Sequence, residues 1–279
     1  MIIFKKKELL ADYIASKINS HTIGLTATMG ALHEGHVSLI KESKKKCDIS
    51  ICSIFINPTQ FNNINDFIKY PKTSESDLKL LKKSKCDIVY MPESKDLYKK
   101  NEKVIKYEFN NLAKYLEGKC RPNHFNGVAM IIEKLFKLIR PTHAFFGEKD
   151  LQQLLIIKQL VKKNRMDIRI IGCPTIRDNK GLAMSSRNTL LSENDQTFSA
   201  KIYQQLLICK KNYTKTPLLD LKKNVIKNLS KSKKIEVEYL DFVDITTLKP
   251  KMIFEKKTKY AVCIAVNISG VRLIDNIIL

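Results

Sequence analysis

Ile49-Ser50-Ile51-Cys52-Ser53-Ile54-Phe55-Ile56 is too apolar, on both of its alternating sets of positions, for a strand with one wet face. A run of this kind is buried on both sides, which makes it a central parallel strand and sets the class of the fold. Outward from it, shorter runs at 87–90, 144–147 and 168–173 read as further strands. Segments 8–18, 74–83, 127–139 and 151–163 read as helices. In the last of these, Leu151, Leu154, Leu155, Lys158 and Val161 trace one mostly apolar helical face. Strand and helix in alternation predict a doubly wound parallel α/β sheet with right-handed crossovers. Such sheets bind ligands beyond the carboxyl ends of their strands, at a switch point.

Past Pro174 the pattern changes. Helical segments at 193–211 and 218–230 precede strands at 235–244, 260–268 and 271–278. Helices followed by consecutive strands predict a second, smaller α+β domain with an antiparallel sheet. The expected division is therefore 1–174 and 175–279, with no Gly/Ser linker at the break.

The 279 residues and 44% hydrophobic content suit two unequal domains with proper cores and argue against disorder. The net charge of +22 invites a nucleic-acid reading. The excess is mostly lysine, however, and it is spread along the chain. Clusters such as Lys44-Lys45-Lys46 and 231–234 fall at helix ends and loops. Without an arginine-rich arm or an aromatic-interleaved basic stripe, no nucleic-acid partner is expected. The seven cysteines form no Cys-x-x-Cys pair, and Cys52 and Cys263 lie inside apolar runs. Neither a disulfide framework nor a zinc site is expected, and a reducing compartment is. The order Met1-Ile2-Ile3-Phe4-Lys5-Lys6-Lys7 reverses that of a signal peptide, and no apolar run reaches the ~20 residues that span a bilayer. A soluble cytoplasmic protein without a membrane partner is expected.

Five polar motifs follow strands or precede helices. Thr28-Met29-Gly30-Ala31-Leu32-His33-Glu34-Gly35-His36 joins the apolar run at 22–27 to an amphipathic segment at 37–46. Gly30 and Gly35 let the backbone approach a bulky ligand. A helix N-terminus offers N–H groups and a positive dipole end to phosphates. His33 and His36 can donate charge-assisted hydrogen bonds to charge developing in phosphoryl or nucleotidyl transfer. The alternative is a tight turn whose histidines cap or pack. Asn57-Pro58-Thr59-Gln60-Phe61 follows the central strand, so Asn57 and Gln60 project at its carboxyl end, although an ordinary Asn-Pro turn accounts for it equally.

Gly147-Glu148-Lys149-Asp150 lies between a strand and a helix. Lys149 near a helix N-terminus is electrostatically out of place unless an anion sits there. A solvated loop lysine is the alternative. Gln152 and Gln153 follow in the helix, where they can hydrogen-bond a substrate. Gly181 and Met184-Ser185-Ser186-Arg187 supply two hydroxyls and a guanidinium, a clamp for polyphosphate or else a helix cap. Arg121-Pro122-Asn123-His124-Phe125-Asn126-Gly127 is rich in turn formers and precedes a helix; Arg121 and His124 are candidate ligand contacts, but such a loop needs no function. A lone Asp77 beside phosphates fits magnesium, which takes few protein ligands.

In this order and spacing, the segments at 28–36, 57–61, 121–127, 147–150 and 185–188 resemble the pantothenate synthetase (pantoate–β-alanine ligase) family, within the nucleotidyltransferases that carry a His-x-Gly-His motif. The resemblance implies a Rossmann-like domain binding nucleotide and pantoate at 1–174, a small C-terminal lid domain at 175–279, and a homodimer. It implies that ATP, carrying Mg2+, and (R)-pantoate form pantoyl adenylate and pyrophosphate. The β-alanine amine then displaces AMP to give pantothenate.

By position, Met29, Gly30, Ala31, Leu32, His33, Glu34, Gly35 and His36 would bind ATP. His33 and His36 would act on the phosphates, and His36 stands where the family has its proton donor. Gly147, Glu148, Lys149 and Asp150 would contact the nucleotide, with Lys149 catalytic on the phosphates. The backbone of Ile176 would meet the adenine, and Met184, Ser185, Ser186 and Arg187 would close over the polyphosphate. Gln60 and Gln153 would hold pantoate, Gln60 also lying near β-alanine. Ser76 replaces a commonly acidic residue, leaving Asp77 as the metal candidate. Ala27 and Leu151 replace the family's common proline and aromatic without removing a reacting group. The competing readings are another nucleotidyltransferase, a class I aminoacyl-tRNA synthetase, for which no anticodon-binding module is visible, and a basic nucleic-acid-binding protein resting on charge alone.

Overall fold

The computed structural model describes every residue except Lys233 and Lys256, so Lys233 of the 231–234 lysine cluster lies outside the described residues. The chain divides into two compact units. The first comprises Met1–Phe109, Arg121–Glu148 and Gln153–Pro174; the second comprises Asn110–Cys120, Lys149–Gln152 and Thr175–Leu279.

In chain order the elements are β1 (Ile2–Phe4), α1 (Lys7–Ala15), β2 (Ile23–Thr28), α2 (Glu34–Lys46), β3 (Ile49–Ile54), α3 (Ile64–Ile68), α4 (Ser74–Lys83), β4 (Ile88–Tyr90), α5 (Ser94–Leu97), α6 (Leu116–Cys120), α7 (His124–Ile139), β5 (His143–Gly147), α8 (Leu151–Lys163) and β6 (Arg169–Cys173). They continue with α9 (Glu193–Asn212), α10 (Leu218–Leu229), β7 (Ile235–Asp244), β8 (Tyr260–Ile268) and β9 (Val271–Ile278).

The first unit is built on a parallel sheet ordered β1-β4-β3-β2-β5-β6. All six residues of β3 are buried, as its two-sided apolar sequence requires. It pairs with β2 from Ile23↔Ile49 to Thr28↔Ile54, and β2 pairs on its other side with β5. The chain runs from β2 toward one edge and returns to β5 for the other, so the switch point falls between β2 and β5. Ile40 of α2 and Leu81 of α4 close over Cys52, Ile54 and Val89 on one face of the sheet. Full burial of such side chains stabilises by about 1.5–3 kcal/mol each.

β1 has no counterpart in the sequence reading. It is three residues long at the sheet edge, with Ile2 and Ile3 more than a third exposed, too short to show a period. Helix α7 starts at His124 rather than at 127 because Asn123 turns the chain with φ +64°.

The second unit carries an antiparallel sheet ordered β7-β8-β9. Ile202 and Leu206 of α9 and Leu221 and Val225 of α10 pack with Leu240, Phe242, Ile264 and Val266 of the sheet. This is the α+β arrangement expected from two helices followed by three strands. No helix of the described residues is long and apolar enough to cross a membrane.

Candidate active site

The first unit gathers its polar motifs at the carboxyl ends of β3, β2 and β5, three adjacent strands. At the end of β2 the Thr28 hydroxyl donates to the Ser53 carbonyl (2.8 Å) and accepts from the Gly30 amide (3.3 Å). Gly30 (φ +84°) and Ala31 (φ +47°) then take the chain through the left-handed region. The main-chain amides of Ala31 and Leu32 lie beyond the strand ladder, and the buried carboxylate of Asp77 on α4 receives both. Ala31 donates to Oδ2 (3.0 Å) and Leu32 to Oδ1 (2.8 Å), while the Thr73 hydroxyl also donates to Oδ1 (3.0 Å). A buried carboxylate without such partners would cost several kcal/mol; here it sets the path of the loop.

His33 is the N-cap of α2, in extended conformation. Its Nδ1 accepts from the Gly35 amide (3.1 Å), and the Nδ1 of His36 accepts from the His33 amide (3.3 Å). The two side chains thus form a reciprocal capping box with their rings 4.1 Å apart. An imidazole nitrogen that accepts carries no proton, so in both rings the hydrogen sits on Nε2. The sequence posed cap and ligand contact as alternatives, but the two nitrogens of one ring can serve both ends. The charge-assisted donors expected from the sequence are, in this arrangement, neutral Nε2–H groups.

Beyond β3, Asn57 is buried and caps the 3-10 turn Pro58–Gln60, its Oδ1 accepting from Thr59 Oγ1 (2.9 Å) and from the Tyr98 hydroxyl (2.7 Å). Burial pushes the Tyr98 phenol up to about 12, so it remains a donor. Asn57 Nδ2 donates to Gln60 Oε1 (3.2 Å), and Gln60 Nε2 lies 2.9 Å from the sulfur of Met29. Gln60 and Met29, assigned to different substrates in the sequence reading, are therefore brought together. Gln153 is half-buried in the first turn of α8, and Gly147 and Glu148 are half-buried at the end of β5. Gln152, paired with Gln153 in the sequence reading, is buried in the second unit. There its amide donates to the carbonyls of Leu112 (2.6 Å) and Tyr115 (2.9 Å).

The second unit holds Lys149, Asp150, Ile176 and Met184-Ser185-Ser186-Arg187. Lys149 is half-buried, its carbonyl accepting from Asn276 Nδ2 (2.8 Å); among the described residues its ammonium forms no salt bridge. Asp150 is exposed. Ile176 and Met184 face each other across a tight hairpin through Met184 N–H to Ile176 O (2.9 Å). The turn passes through Gly181 at φ +94°. Ser185 caps the 3-10 turn Ser186–Leu190 by accepting from the Arg187 amide (3.3 Å), and Ser186 is buried. The anchor of this hairpin was not found from sequence. Arg177 pairs bidentately with buried Asp275 (2.6 and 2.8 Å) and lies 3.6 Å from the centroid of the Tyr203 ring. Arg177 and Asp275 stand 98 residues apart, and no local pattern links them.

All seven cysteines are free, and six are buried. Burial pushes the thiol of Cys120, the half-exposed one, up to about 11, which leaves no activated thiolate there. Among the described residues no group of three or more His, Cys, Asp or Glu side chains is placed to hold a metal ion.

A doubly wound sheet whose strand β2 leads into a doubly histidine-capped helix defines an α/β protein equipped to bind phosphates. The sequence matches the pantoate–β-alanine ligase family over residues 2–278. It is 44% identical to a pantothenate synthetase of Cytophaga hutchinsonii, over 98% of this chain and 97% of that protein. It is 42% identical to that of Flavobacterium psychrophilum, over 99% of each. The fold superposes on the crystal structure of pantothenate synthetase from Thermus thermophilus with a TM-score of 0.91, 29% identity and 99% coverage of both chains. It also resembles a Francisella tularensis pantoate–β-alanine ligase complexed with β,γ-ATP and β-alanine (TM-score 0.85, 34% identity, 99% of this chain and 97% of that one). The chain belongs to the pantoate–β-alanine ligase family and is an enzyme of that class, a carbon–nitrogen ligase.

Proposed function

We propose that the chain joins (R)-pantoate to β-alanine in two steps driven by ATP, as a step of pantothenate biosynthesis. A pantoate carboxylate oxygen attacks the α-phosphorus of ATP and pyrophosphate leaves, giving pantoyl adenylate. The β-alanine amine then attacks the acyl carbon, the carbon–oxygen bond to AMP breaks, and the amine loses a proton. Acyl activation is needed because AMP is a far better leaving group than oxide.

The observation that carries the site assignment is the double imidazole cap. With both Nδ1 atoms tied to main-chain amides, His33 and His36 are held to present Nε2–H to phosphate oxygens gaining charge as pyrophosphate departs. Preorganised donors of this kind need no reorientation during the reaction. Met29, Gly30, Ala31, Leu32, Glu34 and Gly35 form the rest of that loop around the nucleotide. Gly147, Glu148 and Asp150 add nucleotide contacts, and Ile176 meets the adenine through its backbone. Lys149, whose ammonium forms no salt bridge among the described residues, neutralises phosphate charge together with Arg187, while Ser185, Ser186 and the main chain of Met184 contribute polar contacts to the polyphosphate. Gln60 and Gln153 hold pantoate.

Magnesium enters as the counter-ion of ATP and is part of the substrate. Asp77 already accepts two main-chain amides and a hydroxyl, which favours a loop-clamping role for it over metal binding. We place the enzyme in the cytoplasm as a homodimer acting on small molecules, with neither a nucleic-acid nor a membrane partner. The test is AMP release by the folded protein with magnesium. It is expected only when ATP, pantoate and β-alanine are all present, and no AMP under those conditions would overturn the proposal.

A further inference from the structure

The motif Arg121-Pro122-Asn123-His124-Phe125-Asn126-Gly127 has no part in the chemistry above, yet it is packed against the turn that carries Gln60. His124, the first residue of α7, is buried, and its Nδ1 lies 2.8 Å from the main-chain carbonyl of Gln60. Its Nε2 lies 3.2 Å from Nη1 of Arg121, whose Nη2 reaches the same Gln60 carbonyl at 3.5 Å. A carbonyl only accepts and a guanidinium only donates. His124 is therefore the neutral tautomer with its proton on Nδ1, opposite to His33 and His36, and its polarity is set from both sides.

Three residues further along α7, Gly127 lets the helix meet the turn. A Cβ there would stand 2.2 Å from the Thr59 oxygen and 2.8 Å from the Gln60 nitrogen. The Gly127 carbonyl accepts from Asn57 Nδ2 (3.1 Å), the same amide group that donates to Gln60 Oε1. Asn62 closes the other flank by donating to the Pro122 carbonyl. The main chain of Gln60 is thus fixed by His124, and its side-chain amide is fixed between Asn57 and Met29.

We propose that His124 is a positioning residue for pantoate, acting through Gln60: its Nδ1–H locks the Gln60 carbonyl and so fixes where the Gln60 amide meets the substrate. The inference rests on the assignment of Gln60 to pantoate. An ill-held hydrogen-bonding side chain loses substrate affinity before it loses chemistry on other parts of the site.

The experiment compares His124→Asn with His124→Gln, both polar and close to histidine in size. The Asn amide nitrogen falls near the position of Nδ1 and keeps the donor to Gln60, whereas the Gln amide nitrogen falls near Nε2 and does not. His124→Gln is expected to raise the pantoate KM roughly 10- to 100-fold, because it leaves the Gln60 carbonyl with only the long contact to Arg121. The KM for ATP should stay within about threefold, and His124→Asn should return the pantoate KM to within about threefold of the parent. Equal effects of both variants, or a parallel rise in the ATP KM, would overturn the proposal, because either marks a general structural role. Gln60→Ala separates the two levels. If it leaves the pantoate KM unchanged, the assignment of Gln60 fails; if it raises that KM while His124→Gln does not, only the role of His124 fails.

Discussion

The loop at 28–36 and the hairpin at 176–187 both pass through a positive-φ glycine, yet they are held by opposite means. The loop is held by groups that accept from main-chain amides: Asp77 from Ala31 and Leu32, His33 from Gly35, and His36 from His33. The hairpin is held by an ion pair between half-buried Arg177 and buried Asp275, braced on the Tyr203 ring. Where the chain must keep its amides and ring nitrogens in a fixed direction, acceptors are spent on the backbone itself. Where it need only hold two strands of a turn in register, one charged pair suffices. The two designs fail differently, since removing a partner frees a neutral amide in the first and strands a charge in the second.

That contrast can be broken experimentally. Asp275→Ala leaves the half-buried Arg177 guanidinium without its counter-charge and is expected to cost about 3 kcal/mol in denaturant unfolding, the low end of what breaking a buried pair costs. A loss below ~1 kcal/mol would mean that the pair is not the anchor. His36→Ala and Lys149→Ala should each lower adenylate formation by at least ~100-fold, about 2.7 kcal/mol in the barrier, with circular dichroism unchanged. Near-normal rates in both would show that the roles are wrongly assigned. Asp77→Ala releases two amides and is expected to cost about 1–3 kcal/mol. It should also weaken ATP binding, because the loop path is lost. A stability loss with ATP binding intact would separate the clamp from the nucleotide site. The smallest effect belongs to a control away from both regions. Lys46→Ala breaks the exposed i,i+4 pair with Glu42 (3.4 Å) and is expected to change stability by no more than ~0.5 kcal/mol.

The two regions were also unequally legible in the sequence. Two-sided apolarity at 49–54 reveals β3 because burial on both faces admits only apolar residues and small polar ones such as Ser50 and Ser53, and the switch in pattern near Pro174 reveals the second sheet. The loop at 28–36 carries its glycines and histidines within nine residues, so the phosphate-binding role proposed for it is readable locally. What holds it is not. Asp77 stands 46 residues from Ala31, and in sequence it is one carboxylate in a charged helix that fits a metal as well as an amide. The same is true of Gln152, which looks like a substrate ligand beside Gln153 and instead satisfies the carbonyls of Leu112 and Tyr115. Arg177 and Asp275 are invisible for the same reason, as long-range polar pairs leave no period. The tautomers of His33, His36 and His124 are likewise set by partners that only the fold supplies.

The central claim is that a pantoyl adenylate forms before β-alanine takes part, and pyrophosphate exchange tests it most directly. Labelled pyrophosphate is incubated with the enzyme, ATP and magnesium, with pantoate or β-alanine added separately. Label is expected to enter ATP when pantoate is present, without any need for β-alanine, and exchange should fall at least ~100-fold in His36→Ala. Exchange that requires β-alanine, or that proceeds without pantoate, would contradict the claim.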